Sequence, residues 1–415
     1  MKARSSSVRL SLANYEHETL SPVRSGDLIR AAENPEHNPF YPHFKKRLTE
    51  LLENESSSLI GFSLNYLSQA LCAFAMIGFL KREWPEIKLI LGGGLVTSWL
   101  RKAHWKNPFT GLVDHFVAGP GESYLFSLAG IRTDGNIHNR PNYDSFSFND
   151  YFAPGPIFPY SASRGCYWNK CSFCPERTEE NPYLPIPDEE VVADLDRLID
   201  KHKPVLIHLL DNAISPSLLK AICEHPPGVP WYGFARITRH LTDPDFCRDL
   251  KRSGCVMLKL GLESGDQTVL DDLQKGIDLG KASSALKNLR KAGISTYVYL
   301  LFGTPSEGSA EAKRTLEFIV KHHDDIGFLN LAIFNMPIYG PEAQQLKTET
   351  FYEGDLSLYT GFIHPKGWSR PLIRQFLDKE FKRHPAIAPI LRRDPPVFTS
   401  NHAPFFVRDG ERGGK

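Results

Sequence analysis

The stretch Ser163–Glu176, SRGCYWNKCSFCPE, gathers three cysteines within nine residues: Cys166, Cys171 and Cys174, separated by four residues and then by two. The other four cysteines are scattered along the chain. Three chemistries suit such a cluster. A structural zinc site needs four ligands, usually as two pairs from separate loops. No second Cys-x2-Cys pair exists, and the first histidine after Cys174 is His202, beyond an expected helix. Alternatively, the cysteines could be small apolar core residues, but Arg164, Lys170 and Glu176 flank them and do not read as core. In an iron–sulfur cluster the irons are held by thiolates, normally four. Three local thiolates would leave one iron open to a substrate or cofactor.

The elements that must position this loop come from the wider pattern. A chain of 415 residues exceeds what one hydrophobic core usually supports, so two or three domains are expected. Apolar residues make up 41% and charged residues 23%, with a formal net charge of +1. These are ordinary values for a soluble globular protein. Bulk charge indicates neither a nucleic acid nor a membrane surface as partner. The first residues carry no long apolar core, so no secretory signal is read. The longest apolar run, Ala70 to Leu80, is too short to span a bilayer. An odd, unevenly spaced set of seven cysteines argues against a disulfide framework and for a reducing, cytoplasmic setting.

Residues 1–55 read as an irregular segment with a helix at Phe44–Glu53. Across 56–130 strands alternate with helices (LIGFSLNYL, SQALCAFAMIGFLKREW, IKLILGGG, DHFVAGPGE, ESYLFSLAG), which implies part of a parallel α/β domain. Residues 131–158 are rich in Asn, Asp, Pro and Gly and read as a linker. From 159 to 337 a longer alternation gives six strand–helix units, starting with a strand at Tyr160–Ser163. Asp188 is the expected N-cap of the first helix, and Gly254 and the glycine after Ala292 close later ones. Six units are too few for a closed eight-unit barrel and suit an open, partial one. In such sheets the chemistry sits at the carboxyl ends of the strands, where the cysteine loop falls. Residues 338–415 break the alternation, with a helix near Arg370–Arg383. They are expected to act as a substrate lid, with FTSNHAPFF folding over the barrel mouth and GERGGK as a disordered tail.

The cysteine loop and the six-unit pattern together resemble the radical S-adenosylmethionine (radical SAM) superfamily. The usual spacing there is three residues and then two; here the first gap has four. The preceding Ser-Arg-Gly and the aromatic before the last cysteine match. By this resemblance Cys166, Cys171 and Cys174 bind three irons of a [4Fe-4S] cluster. The amino and carboxylate groups of S-adenosylmethionine chelate the fourth, and Phe173 lies near the adenine. Further stretches carry the likeness. LDNAIS closes the second strand, so Asp211 and Asn212 are candidates to hold the methionine amino group. GLESGDQTVL resembles the Gly-x-Glu-Ser segment, giving Glu263 and Ser264 as contacts to ribose or carboxylate. LLFGTPSE resembles the Gly-x-Pro-x-Glu segment, which puts backbone near Gly303 and Thr304 against the adenine. The resemblance implies reductive cleavage of S-adenosylmethionine to a 5′-deoxyadenosyl radical that abstracts hydrogen, with ferredoxin or flavodoxin as electron donor.

Parallel strands buried on both faces should be almost wholly apolar, so polar residues inside them need a reason. His208, Arg236, Lys259, Tyr297, Tyr299 and Asn330 are such residues. Lys259 and Glu263 share parity and face the same side of one strand. Arg236 ends the third strand, where a guanidinium could clamp the methionine carboxylate; Lys259 is expected deeper in the lumen. The plainer reading of Lys259 is a buried ion pair with an acidic neighbour, and that of His208 a satisfied core histidine.

The stretches SLIGFSLNYL, LILGGG and FVAGPGE resemble the later half of the cobalamin-binding domain that precedes many radical SAM enzymes, with its earlier strands absent and no Asp-x-His-x-x-Gly. The glycines at 92–94 could also serve only a tight strand-to-helix turn. Three functions follow as expectations: hydrogen abstraction without cobalamin, cobalamin-dependent methyl transfer, or a degenerate metal-binding scaffold. The substrate is not legible.

Overall fold

Six parallel strands form the larger sheet: β1 (Ile157–Tyr160), β2 (Leu206–Leu209), β3 (Trp231–Ala235), β4 (Cys255–Glu263), β5 (Ser295–Phe302) and β6 (Phe328–Ile333). They lie side by side in chain order, each hydrogen-bonded to the next. Helices α1 (Asp188–His202), α2 (Pro216–Glu224), α3 (Pro244–Arg252), α4 (Leu279–Ala292) and α5 (Ser309–Lys321) return the chain between strands. The result is the six-unit partial (βα) barrel that the alternation predicts. The computed structural model describes the chain except at residues 1, 5–7, 12–13, 55–56, 103–104, 133–139, 152, 154, 352, 396–401, 403–404 and 408–415.

Strand parity divides the barrel into two environments. Leu258, Leu260 and Leu262 of β4, with Val298, Leu300 and Phe302 of β5, face the helices and are essentially fully buried. The intervening residues face the lumen. At its amino end Leu206, Tyr232, Met257, Tyr297 and Phe328 form a separate small cluster. Further along the strands His208, Phe234, Gly261, Tyr299, Leu301, Asn330 and Ala332 keep intermediate exposure. The lumen is therefore packed at its amino end and open toward its carboxyl end.

Helix ends explain the short connections. Ser215, Asp243 and Asp278 accept backbone N–H bonds from Leu218, Asp245 and Lys281, with Pro216 and Pro244 at first helical positions. Gly293 ends α4 in the left-handed conformation, φ 74°. At α1 the structure differs from the expectation: Pro187 is the cap residue, and Asp188 lies within the first turn beside Glu189 and Glu190. There the three acids favour the helix dipole without donating or accepting a cap bond. The first strand also ends earlier than predicted. Tyr160 is its last residue, and Ser163–Arg164 pairs instead with Leu184–Pro185 in an antiparallel ribbon.

The chain divides into two compact units. The barrel belongs to the second, which comprises His138–Met336, Gly340–Lys347 and Phe362–Lys415. The first comprises Met1–Ile137, Pro337–Tyr339 and Thr348–Gly361. In the first, strands Leu59–Ser63, Lys88–Gly92 and His115–Phe116 form a parallel sheet in sequential order, with helices at Leu67–Glu83, Gly94–Leu100 and Glu122–Leu128. Gly93 has φ 101°, and a Cβ there would run into the backbone of Leu64. That close approach accounts for the glycine. The segment Thr348–Gly361 straps this unit: Leu356 is buried in its core, its N–H bonds Val23 O at 2.9 Å, and Asp355 accepts from Ser25 N at 2.8 Å. The expected tail GERGGK lies outside the described residues. No described helix is long and apolar enough to cross a membrane.

Candidate functional site

The cysteine loop leaves the carboxyl end of β1. Gly165 (φ 73°) and Asn169 (φ 42°) turn it back on itself. Asn tolerates the left-handed region better than most residues, so the extra residue of the first gap is accommodated in a tight reversal. A second segment, Leu273–Gly276, clamps the loop. Ser172 N–H bonds Leu273 O at 3.0 Å, and the Trp168 indole N–H bonds Gln274 O at 3.0 Å. Arg177 donates to Lys170 O and to Gln274 Oε1. A Cβ on Gly276 (φ 65°) would enter the Trp168 ring.

All three cysteines are free thiols, Cys171 buried and the others half-buried. Arg236, just past β3, is 8% exposed. Its Nη1 lies 3.8 Å from Cys171 Sγ, its Nη2 donates to Lys275 O, and its guanidinium stacks 4.2 Å from the Trp168 ring centre. Burial pushes the Cys174 thiol up to about 11, against backbone N–H groups of Glu176 and Arg177 that favour the thiolate. Among the described residues no three His, Cys, Asp or Glu converge on one metal ion. A cubane asks for something else, since each thiolate binds a different iron. Three thiols on one loop beside a guanidinium fit that donor set.

The other candidates fall into two groups. Glu263 ends β4 with φ 70°, a conformation that costs a non-glycine residue energy and often marks a working site. Its Oε1 meets Lys275 Nζ at 2.8 Å, both side chains nearly buried. Lys275 Nζ in turn lies 5.4 Å from the Phe173 ring centre. Gly261 leaves room for this pair, since a Cβ there would touch both charged groups. Arg236, Glu263, Phe173 and the three cysteines are thus gathered at one end of the barrel, linked through Lys275.

The second group is engaged by the protein itself. Asp211 is 2% exposed and accepts from Ala162 N at 3.1 Å and from the Ser163 hydroxyl. Asn212 bonds Gly165 O and Glu176 Oε1. Both side chains hold the cysteine loop in place. Ser264 is fully buried, its hydroxyl shared with Thr315 and the Asp266 N–H. Thr304 is fully buried too, and its carbonyl accepts from His364 Nε2 at 2.9 Å. Gly303 has φ 80°; its N–H bonds the Glu307 carboxyl, and Ile373 covers it. Burial raises the Glu307 carboxyl to about 8. As placed, Asp211, Ser264 and Thr304 are buried in protein surroundings, while Asn212 is exposed and holds the cysteine loop from its surface.

Deeper in the lumen Lys259 has no carboxylate partner among the described residues, contrary to the ion-pair reading. Its Nζ lies 3.3 Å from His208 Nε2, 5.2 Å from the Tyr232 ring centre and 4.9 Å from that of Phe234. Burial lowers its pKa to about 8. His208 stacks on Tyr232 at 4.1 Å and is pushed down to about 3, by burial first and then by the Lys259 charge. The His208 imidazole is therefore neutral and accepts from the ammonium. Tyr299 packs beside Phe234 and Tyr297, and Asn330 bonds the Tyr297 hydroxyl at 3.2 Å.

The C-terminal segment departs from the lid expectation. His402, Phe405, Phe406 and Val407 pack on Tyr297 and Phe328 at the amino end of the lumen, opposite the mouth. Most of the rest of FTSNHAPFF lies outside the described residues. Nearer the mouth, the helix Arg370–Phe376 brings Ile373 to Gly303, and Trp368 joins the barrel core. Lys275, Trp168 and Gly276 were not singled out from the sequence. The only signal was Gln-Lys-Gly after a short helical run, which no periodicity distinguishes.

Comparison with known proteins bears on this arrangement. Residues 160–319 match the family described as the Radical SAM superfamily. The anaerobic magnesium-protoporphyrin IX monomethyl ester cyclase of Cereibacter sphaeroides is 24% identical over 218 residues, 50% of this chain and 35% of that one. The bacteriochlorophyllide d C-12(1)-methyltransferase of Chlorobaculum tepidum is 26% identical over 269 residues, 63% of this chain and 53% of that one. The chain thus spans about half or less of these relatives. Among solved structures, the radical S-adenosylmethionine methyltransferase TsrM from Kitasatospora setae superposes with a TM-score of 0.58 at 17% identity, covering 81% of this chain and 77% of that one. The cobalamin-dependent radical enzyme OxsB superposes at 0.52 and 16% identity, covering 68% and 46%. These structures share the fold. The match over residues 160–319, on a six-stranded parallel partial barrel with a three-cysteine loop behind its first strand, places a radical SAM domain in the second unit.

Proposed function

We propose that the protein is a cytoplasmic enzyme that reductively cleaves S-adenosylmethionine and uses the product radical to abstract hydrogen from a substrate in the barrel lumen. The observation that carries this reading is the loop of three free thiols at the carboxyl end of the parallel sheet, beside Arg236. Cys166, Cys171 and Cys174 would hold a [4Fe-4S] cluster. When bound, that group supplies one-electron reduction of S-adenosylmethionine to methionine and a 5′-deoxyadenosyl radical, the electron coming from a donor such as ferredoxin or flavodoxin.

The chain's own residues prepare the site. Arg236 sets its guanidinium beside Cys171 Sγ, and Trp168 stacks on the guanidinium plane. Glu263 and Lys275 present one negative and one positive group side by side. Such a pair complements the ammonium and carboxylate of an amino acid, and we assign it to the methionine end of S-adenosylmethionine with Arg236 as the second cation. Phe173, under Lys275, offers a ring to the adenine. Asp211 and Asn212 hold the loop that carries the thiols.

A cobalamin-dependent methyl transfer is the second reading, supported by the parallel three-stranded unit and by the methyltransferase names among the relatives. Its described strands run in sequential order, so they include no point where strand order reverses, the usual place for a ligand in such sheets. Anaerobic purification tests both readings. About four irons per chain and release of 5′-deoxyadenosine support the first. Stoichiometric cobalamin after reconstitution moves the assignment to the second. A colourless protein that leaves S-adenosylmethionine intact overturns both.

A further inference from the structure

We propose that Lys259 is the anchor for a carboxylate on the substrate, and that the substrate is a planar, largely apolar acid held in the lumen. This rests on the reading of the lumen as the substrate chamber. Lys259 is 6% exposed, and the polar neighbour of its ammonium among the described residues is the neutral imidazole of His208 at 3.3 Å. Among the described residues the ammonium has no acidic partner, and a buried cation so placed carries an uncompensated desolvation cost. An anion entering the lumen would remove that cost.

The surroundings narrow the ligand. Level with Lys259, Phe234 keeps intermediate exposure, and above it so do the lumen-facing Gly261, Tyr299 and Leu301, so the path toward the mouth is open. Tyr297, level with Lys259, and Tyr232 and Met257 below it are buried, and they close the floor. Gly261 stands two residues from Lys259 on the same face and removes a side chain from the path. The walls are aromatic: Phe234 and Tyr299 pack 5.1 Å apart, and His208 lies flat on Tyr232. Rings on these walls suit a flat, apolar body. One ammonium suits a singly charged group. The nearby cations Lys275 and Arg236 are engaged by Glu263 and by the cysteine loop, so a phosphate, which favours several convergent donors, is less well matched. A substrate whose carboxylate rests on Lys259 would direct its other end up the lumen toward the cysteine loop.

The test uses the full chain, reconstituted anaerobically, and three probes of one shape: naphthoate, neutral naphthamide and cationic naphthylmethylamine. Calorimetry should find naphthoate bound about tenfold or more tighter than naphthamide, and the amine not bound. Lys259→Met should abolish the preference for naphthoate, and so should Lys259→Gln, the second variant in case one fails to fold. Equal binding of acid and amide, retention of the preference in either variant, or no naphthoate binding at millimolar concentration overturns the proposal. Iron content and 5′-deoxyadenosine release are measured on the same preparations. If these fail while the Lys259-dependent preference stands, the cluster reading falls and the carboxylate site remains.

Discussion

Replacing Lys259 with Met should stabilise the barrel, because the wild-type protein keeps a desolvated charge there. The drop of the Lys259 pKa from 10.5 to about 8 comes from burial. At about 1.4 kcal/mol per pH unit, the charge costs the folded state roughly 3 kcal/mol, an upper limit for what Lys259→Met recovers. The sign follows from proton linkage. The folded state binds this proton more weakly than the unfolded chain. The penalty is complete below pH 8 and fades as pH rises toward 10.5, where both states lose the proton. The groups facing the ammonium do not share this window: His208 is already neutral, and the Tyr232 and Tyr299 hydroxyls are pushed above their ordinary range by burial. His402 is held low by burial, with Lys259 adding to that and Asp394 opposing it. Urea unfolding of the apo protein, followed by near-ultraviolet circular dichroism of the lumen aromatics, measures the effect. Lys259→Met should be the more stable at pH 7, with the gap closing between pH 8 and 10.5. A variant less stable than wild type at pH 7, or a gap independent of pH, would refute the reasoning and give Lys259 a structural role.

Glu307→Gln should be tolerated and should flatten the pH dependence of stability: a folded pKa near 8 makes wild type lose stability as pH rises from the ordinary glutamate value through 8, and thermal melts across that range check it. Gly276→Ala should cost about 1–3 kcal/mol because of its φ and the Trp168 ring, and it should loosen the cysteine loop. Indole fluorescence and iron retention after desalting report that loosening; an unchanged protein would mean the clamp is dispensable. Arg236→Ala should weaken S-adenosylmethionine binding by about tenfold or more and lower iron retention, read by equilibrium dialysis and iron analysis. Unaltered values for both remove Arg236 from the site. Cys171→Ala should abolish the cluster's visible absorption.

The barrel was legible because its signal is repetitive. Six apolar runs alternate with helices closed by Gly or capped by Ser and Asp, and each repeat supports the others. Boundaries failed where a tertiary contact overrode local pattern, as at Ser163–Arg164, drawn off the sheet to pair with Leu184–Pro185. The site was legible where it is written in cysteines and in polar residues out of place in a strand. Parity correctly put Lys259 in the lumen, but its missing acid could not be foreseen, because a partner 51 residues away in sequence, His208, is set by strand register. Lys275 was invisible for the same reason: its value comes from the reversal at Glu263, and one lysine after a short helix has no distinguishing neighbours. Asp211 and Ser264 sat at the right strand ends, while the direction their side chains take depends on turns that the sequence does not specify.

The strap Thr348–Gly361 sets an order on synthesis. The strands at Leu59–Ser63 and Lys88–Gly92 leave the ribosome early, but Leu356, which completes their core, follows only after all six barrel strands have been made. The first unit must therefore wait, its core short of one residue, until the nascent chain has grown past the whole second alternation. Its last packing step is a capture of late residues by an early scaffold, and any stall in translation between about residues 140 and 355 would hold that scaffold unfinished.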